Sequence, residues 1–226
     1  MDKLLMLSQI SLFDELPKEE LMVVDEMSEM KPVKKGTLIL SPESPIEALF
    51  LLKQGQVRLY RMNSQGKQFT VDILVDGNIF GETSTMSLTD NEIYAEAMTD
   101  TYLCILSNED FEQFIQTNPN IALKLIDILS TRLKEVYTIS EKIALSDVKN
   151  RLLYLLLMLS EKTGRRKNEW QTIEMKLTHH DLANMIGSTR ETTSAIISQL
   201  KKEGYIKKGI QHFSVNAEKT KELLDV

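Results

Sequence analysis

Hydrophobic residues change their spacing twice along the chain. At the start they recur every three or four residues, which predicts two short helices separated by Pro17. The positions are Leu4, Leu7, Ile10, Phe13, Leu21, Val24 and Met27. From Val33 to Leu106 short runs divided by glycine-containing turns predict a β-sandwich or jelly-roll barrel. The strand candidates are Thr37–Leu40, Ala48–Leu52, Gln56–Met62, Gln68–Val75, Glu92–Met98 and Thr101–Leu106.

Helical spacing returns after Asn108, a residue type that caps helices. One helix is predicted over Asp110–Gln116, and Pro119 opens a much longer one. Apolar positions in the long helix alternate steps of three and four, the spacing of a coiled-coil seam. The seam positions are Ile126, Leu129, Leu133, Val136, Ser140 and Ile143. This seam predicts pairing with the same helix of a second copy; packing within its own domain is the alternative.

Beyond a hinge near Ala144–Asp147, a helix is predicted over Asp147–Glu161, a polar loop over Lys162–Gln171 and a short strand over Thr172–Lys176. Two short helices with a tight corner follow. Thr178 can cap the first of them with Asp181 as its capping-box partner, and Gly187 permits the backbone turn at its end. Ser188 is predicted to cap the second, which runs to Gly204. A hairpin over Tyr205–Val215 then predicts the wing of a winged helix-turn-helix.

The outer face of the second short helix suits the major groove of DNA. Arg190 can donate two hydrogen bonds to guanine, and the lysines that follow can meet phosphates. The DNA-contact candidates are Ser188, Thr189, Arg190, Glu191, Thr193, Ser194, Lys201, Lys208 and His179. A helical hairpin used for protein contacts is the alternative that these signals leave open.

Charge is divided unevenly along the chain. The 226 residues carry a net charge of −6, which alone is unusual for a DNA-binding protein. The stretch from Arg165 to Val226 has 11 basic and 8 acidic residues, whereas the remainder has 16 and 25. An acidic first part and a mildly basic second part are therefore predicted. The single cysteine and the lack of a long apolar run predict a cytoplasmic protein without disulfides or a membrane span.

A β-barrel, a long helix and a winged helix-turn-helix in this order resemble the CRP/FNR superfamily of bacterial transcription regulators. The matching motifs are Gly55-Gln56-Val57, Gly81-Glu82, Asn118-Pro119-Asn120, Arg132-Leu133, Ser140-Glu141-Lys142, Asp147-Val148 and Gly187-Ser188-Thr189-Arg190-Glu191-Thr192. The resemblance covers nearly the entire chain. It implies an α+β fold with a cyclic-nucleotide-binding-like β-roll over 1–108, a helix pair for dimerisation over 109–145 and a DNA-binding domain over 146–226.

The resemblance also implies how such a protein acts. Arg190, Glu191 and Ser194 would read bases in a near-palindromic operator of double-stranded DNA, with the protein bound as a homodimer and RNA polymerase as a further partner. It favours an activator, while the residues themselves leave activation and repression open. The cyclic-AMP-responsive members carry a second arginine where this chain has Ala195, so a different half-site is predicted.

Of all the functional features of this protein, the effector is the one that the sequence determines least. The pocket candidates are Gly81, Glu82, Thr83, Glu92, Val136 and Tyr137. In the cyclic-AMP-responsive members an Arg-Ser pair holds the phosphate where this chain has acidic residues, and Asp90 with Glu92 is predicted to repel a phosphate. On the long helix, those members carry a Thr-Ser pair that contacts the adenine, whereas this chain has Val136-Tyr137. A regulator that does not respond to cyclic AMP is predicted, with its effector unknown or absent.

The sequence lacks the ligands that an iron–sulfur cluster or a metal site would need. An iron–sulfur cluster needs about four thiolates and the chain has Cys104 alone, while all three histidines lie in the predicted DNA-binding domain. No metal or cofactor is therefore predicted, and His179-His180-Asp181 is interpreted as a helix start that faces phosphates. Cys104 is predicted to be a buried core residue, with a redox-sensitive thiol as the alternative. A barrel-fold enzyme with an accessory nucleic-acid domain and a protein-interaction module are the alternatives from other classes; an enzyme is not expected.

Overall fold

A computed structural model describes residues 3–84, 86–209 and 212–224, with side chains at all of these positions except Lys3, Ile143 and Arg165. The chain forms two compact units, Met1–Lys134 and Glu135–Val226. The division into segments 1–108, 109–145 and 146–226 stays a prediction. The expected architecture is confirmed: an N-terminal β-sandwich is followed by a long helix and a C-terminal helix-turn-helix with a wing.

The first unit contains eight strands among its described residues. Helices α1 to α4 span Lys3–Leu7, Lys18–Met27, Asn108–Thr117 and Pro119–Leu145. Strands β1 to β8 span Glu29–Val33, Leu38–Leu40, Ala48–Gln54, Val57–Met62, Gln68–Leu74, Ile79–Glu82, Tyr94–Ala97 and Thr101–Ser107. They form two antiparallel sheets in the orders β1-β8-β3-β6 and β2-β7-β4-β5. Each of the six predicted strands is present, with ends that differ by two residues or fewer.

Strand β3 shows where the two cores lie. Its alternate residues Phe50 and Leu52 belong to the core between the sheets, where the Phe50 ring stacks on Phe80 at 5.1 Å between centroids. Leu49 and Leu51 belong to a second core, formed with the N-terminal segment, α3 and the start of α4. An apolar run without polar alternation is what a strand covered on both faces requires.

The sequence missed the two edge strands of the first sheet. Strand β1 contains Pro32, and β6 contains Gly81, residue types that weaken a strand pattern but are tolerated at an edge. Gly81 has φ of +112°, and a Cβ atom there would collide with the Ala48 carbonyl of β3. The close approach of the two backbones therefore requires glycine at this position.

One helix end and one helix start in the first unit differ from their predictions. Helix α1 ends at Leu7, so Ile10 and Phe13 lie in turns, although both side chains are fully buried. Helix α3 begins at Asn108, and its cap is Ser107, whose Oγ accepts a hydrogen bond from the Asp110 backbone N–H at 3.1 Å. A hydroxyl one residue earlier in the chain thus takes the capping role that was assigned to Asn108.

The second unit is built on a buried helix. Helices α5 to α8 span Val148–Thr163, His179–Ile186, Arg190–Lys202 and Ala217–Leu224, and strands β9 to β12 span Arg165–Lys167, Trp170–Thr172, Ile206–Lys208 and Phe213–Asn216. Asp147 caps α5 by accepting from the Asn150 N–H at 2.8 Å. Leucines at Leu152, Leu153 and Leu156 are fully buried and form the centre of the unit. The strands form one antiparallel sheet in the order β11-β12-β10-β9.

The predicted loop over Lys162–Gln171 is wrong. It contains the end of α5, all of β9 and most of β10, and the strand predicted over Thr172–Lys176 overlaps β10 only at Thr172. Strand β9 lies at the sheet edge and is rich in charge, which hid it from a hydrophobic pattern. Asn168, with φ of +57°, turns the chain between β9 and β10. Among the described helices of the whole chain, none combines the length and apolar character needed to cross a bilayer.

Candidate nucleic-acid interface

Helices α6 and α7 form the predicted helix-turn-helix, and the start and end of α6 are as expected. The Asp181 backbone N–H donates to Thr178 Oγ1 at 3.1 Å, and the Thr178 N–H donates to Asp181 Oδ2 at 2.8 Å. This reciprocal pair satisfies two backbone donors at the helix start. Gly187 ends the helix in the left-handed conformation, with φ of +65°. The predicted capping box and glycine stop are confirmed.

The cap of α7 is Thr189 rather than Ser188. Thr189 Oγ1 accepts from the Thr192 backbone N–H at 3.1 Å. The Ser188 N–H instead donates to the Ala183 carbonyl at 2.9 Å, so Ser188 completes the end of α6. The prediction was one residue early because both serine and threonine can cap a helix, and the length of the corner decides between them.

One face of α7 packs inside the unit, and the other faces outward. Thr193, Ile197 and Leu200 are buried, whereas Arg190 and Glu191 are exposed at the first turn and Ser194 is half-buried. The assignment of Thr193 as a DNA contact is therefore wrong: its side chain has 0% exposure and lies on the packed face. Thr193 lies three residues after Arg190 and about 60° from it around the helix axis, so its burial, and not the helix period, removes it from the DNA-facing surface.

Basic residues extend this outward face beyond the first turn of α7. Lys201 is exposed in its last turn, and Lys208 is exposed on β11 in the wing. The Gly209 N–H donates to the His212 carbonyl at 2.9 Å and helps to close the hairpin, whose residues 210 and 211 lie outside the described residues. Lys207 lies over the Trp170 ring, with Nζ 3.7 Å from its centroid, a contact that fixes the wing to β10.

His179, the first residue of α6, is joined to both α7 and the wing. Its Nδ1 lies 2.7 Å from Ser194 Oγ, and its Nε2 lies 2.8 Å from Lys208 Nζ. Partial burial, followed by the positive charges of Lys208, Arg190 and Lys201, holds the pKa of His179 below its ordinary value. Both ring nitrogens are thus occupied within the unit, and the ring is neutral at neutral pH.

The apolar seam of α4 is exposed in the single chain. Ile121 and Leu125 pack into the core beside the sandwich, and Arg132 Nη2 donates to the Ile79 carbonyl at 2.6 Å. A different face carries the seam, whose four described apolar side chains are between 38% and 59% exposed. These are Ile126, Leu129, Leu133 and Val136. Ser140 is exposed as well, and the side chain of Ile143 lies outside the described residues.

The effector-pocket candidates lie on different elements of the chain. Gly81, Glu82 and Thr83 follow one another at the end of β6, where Thr83 is buried and Glu82 is half-buried. Glu92 is exposed in the segment before β7. Val136 and Tyr137 lie on the part of α4 that belongs to the second unit, and they are 55% and 64% exposed.

Arg61 changes the expected electrostatics near Glu92. Its guanidinium contacts Asp90 Oδ2 and lies 3.1 Å from Glu92 Oε2 through Nη1. The prediction that two unopposed carboxylates would repel a phosphate is therefore corrected to a paired cluster of one cation and two anions. The sequence did not reveal this because Arg61 is remote in the chain, and only the pairing of β4 with β7 brings it there.

Cys104 lies inside the core between the first sheet and the helices. Its side chain has 0% exposure, and leucines such as Leu51 and Leu106 share the cluster. The interpretation as a buried core residue is confirmed. The structure does not expose the thiol, which weakens its assignment as a redox switch. In the described part of the chain, no three His, Cys, Asp or Glu side chains are grouped so that they could hold a metal ion.

Comparison with known proteins identifies both parts of the chain. Sequence models of a cyclic nucleotide-binding domain and of a Crp-like helix-turn-helix domain match residues 30–118 and 150–219, respectively. The cyclic AMP receptor protein of Thermus thermophilus is 32% identical over 72% of each chain. The global nitrogen regulator of a Nostoc species is 30% identical over 76% of this chain and 78% of its own. The solved structure of a CRP/FNR-family transcriptional regulator from Thermus thermophilus is 29% identical, with a TM-score of 0.69 over 88% of this chain and 99% of its own.

Proposed function

We propose, from the premise that this chain belongs to the CRP/FNR family of transcription regulators, that it binds a near-palindromic DNA operator as a homodimer. One observation carries this proposal: the first turn of α7 presents Arg190 and Glu191 to solvent while the rest of the helix is anchored by buried Thr193, Ile197 and Leu200. A helix held in this way can enter the major groove with its N-terminal side chains at the base edges.

The exposed side chains suit distinct parts of DNA. Arg190 matches the two acceptors of guanine, and Glu191 can accept from the amino group of cytosine. Ala195 is exposed one turn later and offers only a methyl group, which suits contact with a thymine methyl. Phosphates would be met by Lys201 and Lys208, and by backbone N–H groups of the first turn of α7, which begins at Arg190.

The test of DNA binding is fluorescence anisotropy of the purified protein on duplexes selected from a randomised near-palindromic pool. Measurements near physiological salt are needed because phosphate contacts make affinity depend on salt. The wild type should bind selected duplexes more tightly than random ones. Arg190→Ala should lose about 1–3 kcal/mol of binding free energy on the selected duplex, because a buried base contact disappears.

Arg166→Ala is the matched control. Arg166 is also an exposed arginine of the second unit, but its guanidinium is engaged with Glu218 at 2.7 Å. This variant should keep the selectivity of the wild type. Equal binding of selected and random duplexes by the wild type would contradict a sequence-specific regulator and would favour a protein-interaction module instead.

Homodimerisation is supported by the exposed seam of α4. Its apolar side chains recur at steps of three and four over three helical turns, on a face that the chain's own sandwich leaves open. Two such seams bury each other in a coiled coil. A pair of helix-turn-helix units is also what a near-palindromic operator requires, with half-sites about 34 Å apart.

The effector is proposed to be something other than cyclic AMP. A cyclic nucleotide needs a cation for its phosphate, and Arg61 near the predicted pocket is already engaged by Asp90 and Glu92. The helix positions expected to meet the base carry Val136 and Tyr137, which present an aliphatic side chain and a phenol in place of two hydroxyls. RNA polymerase remains the proposed further partner. Regulation of transcription remains favoured over a barrel-fold enzyme because relatives from Nostoc and Thermus thermophilus are named as regulators.

Calorimetric titration with cyclic AMP tests this departure. We expect no binding heat and no change in affinity for the selected duplex, since the phosphate would meet a cation that two carboxylates already hold. As a control, Glu92→Gln should leave this negative result unchanged, because Asp90 still pairs with Arg61. A tighter DNA complex in the presence of cyclic AMP would show that the pocket accepts the nucleotide and that this part of the proposal is wrong.

A further inference from the structure

The hydrogen bonds of His179 define its proton state. An ammonium group has donors only, so Lys208 Nζ, 2.8 Å away, must donate to a lone pair on Nε2. The single proton of the neutral ring then resides on Nδ1, which donates to Ser194 Oγ at 2.7 Å. This assignment follows from the donor and acceptor capacities of the three groups.

Resting on the proposed function, we propose that His179 is a positioning residue: as a neutral imidazole it holds Ser194 of α7 and Lys208 of the wing in the orientation that binds DNA. Ser194 and Lys208 come from elements separated by the corner after α7, and the imidazole is the group that touches both. The wing and the recognition helix are thereby joined through the first residue of α6. His179 itself contacts these two side chains and leaves the DNA to them.

The arrangement has a consequence for what Ser194 can read. Its oxygen accepts the Nδ1 proton, so its own hydroxyl proton is available for an acceptor outside the unit. In the major groove such acceptors are guanine N7 and O6, adenine N7 and thymine O4. Ser194 is therefore expected to disfavour the amino groups of cytosine and adenine at the position it faces.

Lys208 is oriented by the same contact. One of its three N–H donors points to Nε2, and its Nζ lies 5.1 Å from the centroid of the Phe213 ring of β12. The two remaining donors can meet a phosphate without a further loss of side-chain freedom. A lysine already fixed in this way loses less entropy on binding than a freely rotating one.

Protonation of His179 would break the hydrogen bond between its Nε2 and Lys208 Nζ. After partial burial, the charges that lower the pKa of the ring are cationic: Lys208 from β11, with Arg190 and Lys201 from α7. A second proton would remove the acceptor at Nε2 and add another positive charge beside Lys208. The pKa of His179 is lowered, so the contact is present above that pKa and is lost as the pH falls through it.

The test measures affinity for a selected duplex at constant salt between about pH 5 and pH 8. The wild type should weaken as the pH falls. His179→Ala should weaken binding about tenfold at neutral pH, the equivalent of about one charge-assisted hydrogen bond, and should flatten the pH profile. His179→Gln can place Oε1 near the former Nε2, so it should recover part of the affinity without the pH dependence. The control His180→Ala, which removes the exposed neighbouring imidazole, should keep the wild-type profile.

Two further measurements separate positioning from simple structural damage. Combined with Lys208→Ala, His179→Ala should cause a smaller additional loss than it does alone, because the contact with Lys208 is already gone and only the contact with Ser194 remains to be lost. Imidazole ¹⁵N shifts of the DNA-free protein should show the proton on Nδ1. Multiplicative losses in the double variant, a proton on Nε2, or a wild-type affinity that rises as the pH falls would overturn the inference.

The outcomes also distinguish this inference from the function on which it rests. If the wild type fails to select any duplex, the proposed function is wrong and the role of His179 falls with it. If the wild type selects a duplex and the His179 variants bind it equally well with an unchanged pH profile, only the positioning role is overturned.

Discussion

Thr193 and Arg190 lie within one turn of the same helix, yet only Arg190 reaches solvent. Both were among the DNA-contact candidates named from the sequence, and burial removes Thr193 from that set. His179 shows the reverse case, in which a residue expected to meet phosphates has both ring nitrogens engaged within the unit. A side chain's role at this scale depends on its neighbours in space, which a motif does not contain.

The burial of Cys104 predicts how its thiol reacts with a reagent. A thiol-specific reagent should leave the native protein unmodified and label one thiol per chain after unfolding in guanidinium, because the side chain has 0% exposure. Thr131→Cys places a thiol at an exposed position of α4 and should label promptly in the folded protein. Prompt labelling of the wild type would revive a thiol switch, and loss of peroxide sensitivity in Cys104→Ser would then establish it.

Helices and strands were predicted best where the pattern of burial is regular. The long helix from Pro119, six strands of the sandwich and the capping box of α6 follow from spacing and capping chemistry. Three edge strands, β1, β6 and β9, were missed and carry proline, glycine or charge, whereas the edge strands β2 and β5 were predicted. An edge strand needs only one paired neighbour, so its sequence is less constrained and its signal is weaker.

The cap at the start of α7 is expected to stabilise the folded protein. Thr189→Ala should reduce the free energy of unfolding by about 1 kcal/mol, because the Thr192 N–H loses its acceptor. Ser188→Ala is the matched control and should change it far less, since Ser188 engages α6 through its backbone N–H. Chemical denaturation monitored by circular dichroism measures both variants. A larger effect at Ser188 would mean that the cap predicted from sequence is the correct one.

At the scale of the whole molecule, two units with opposite charge balance are joined by one continuous helix. The seam of that helix is an apolar stripe whose described side chains are between 38% and 59% exposed in the single chain. Exposed apolar stripes of this kind mark interaction surfaces in most proteins. Helix-turn-helix regulators usually read paired half-sites, which gives a reason for two copies of the seam to pair.

Dimerisation is tested by charge in the seam. Leu133→Glu should convert a dimer to a monomer, because two carboxylates would face each other in an apolar interface, and it should not unfold the chain because Leu133 is 49% exposed. Light scattering after size-exclusion chromatography should report half the wild-type mass. Thr131→Glu, at an exposed position on another face of α4, should leave the mass unchanged. A monomeric wild type would refute the proposed homodimer.

The sequence by itself determined the order of the parts, because strand and helix periods, capping residues and glycine turns are local properties that survive without neighbours. It also determined which side chains are exposed in the first turn of α7. Arg190 and Glu191 are exposed by the same periodicity that buries Ile197 and Leu200. Tertiary structure alone decided which polar groups meet: Arg61 with Asp90, and His179 with Ser194 and Lys208. These contacts depend on strand register and on a helix packing against a hairpin, and both are set by burial across distant segments rather than by local preference.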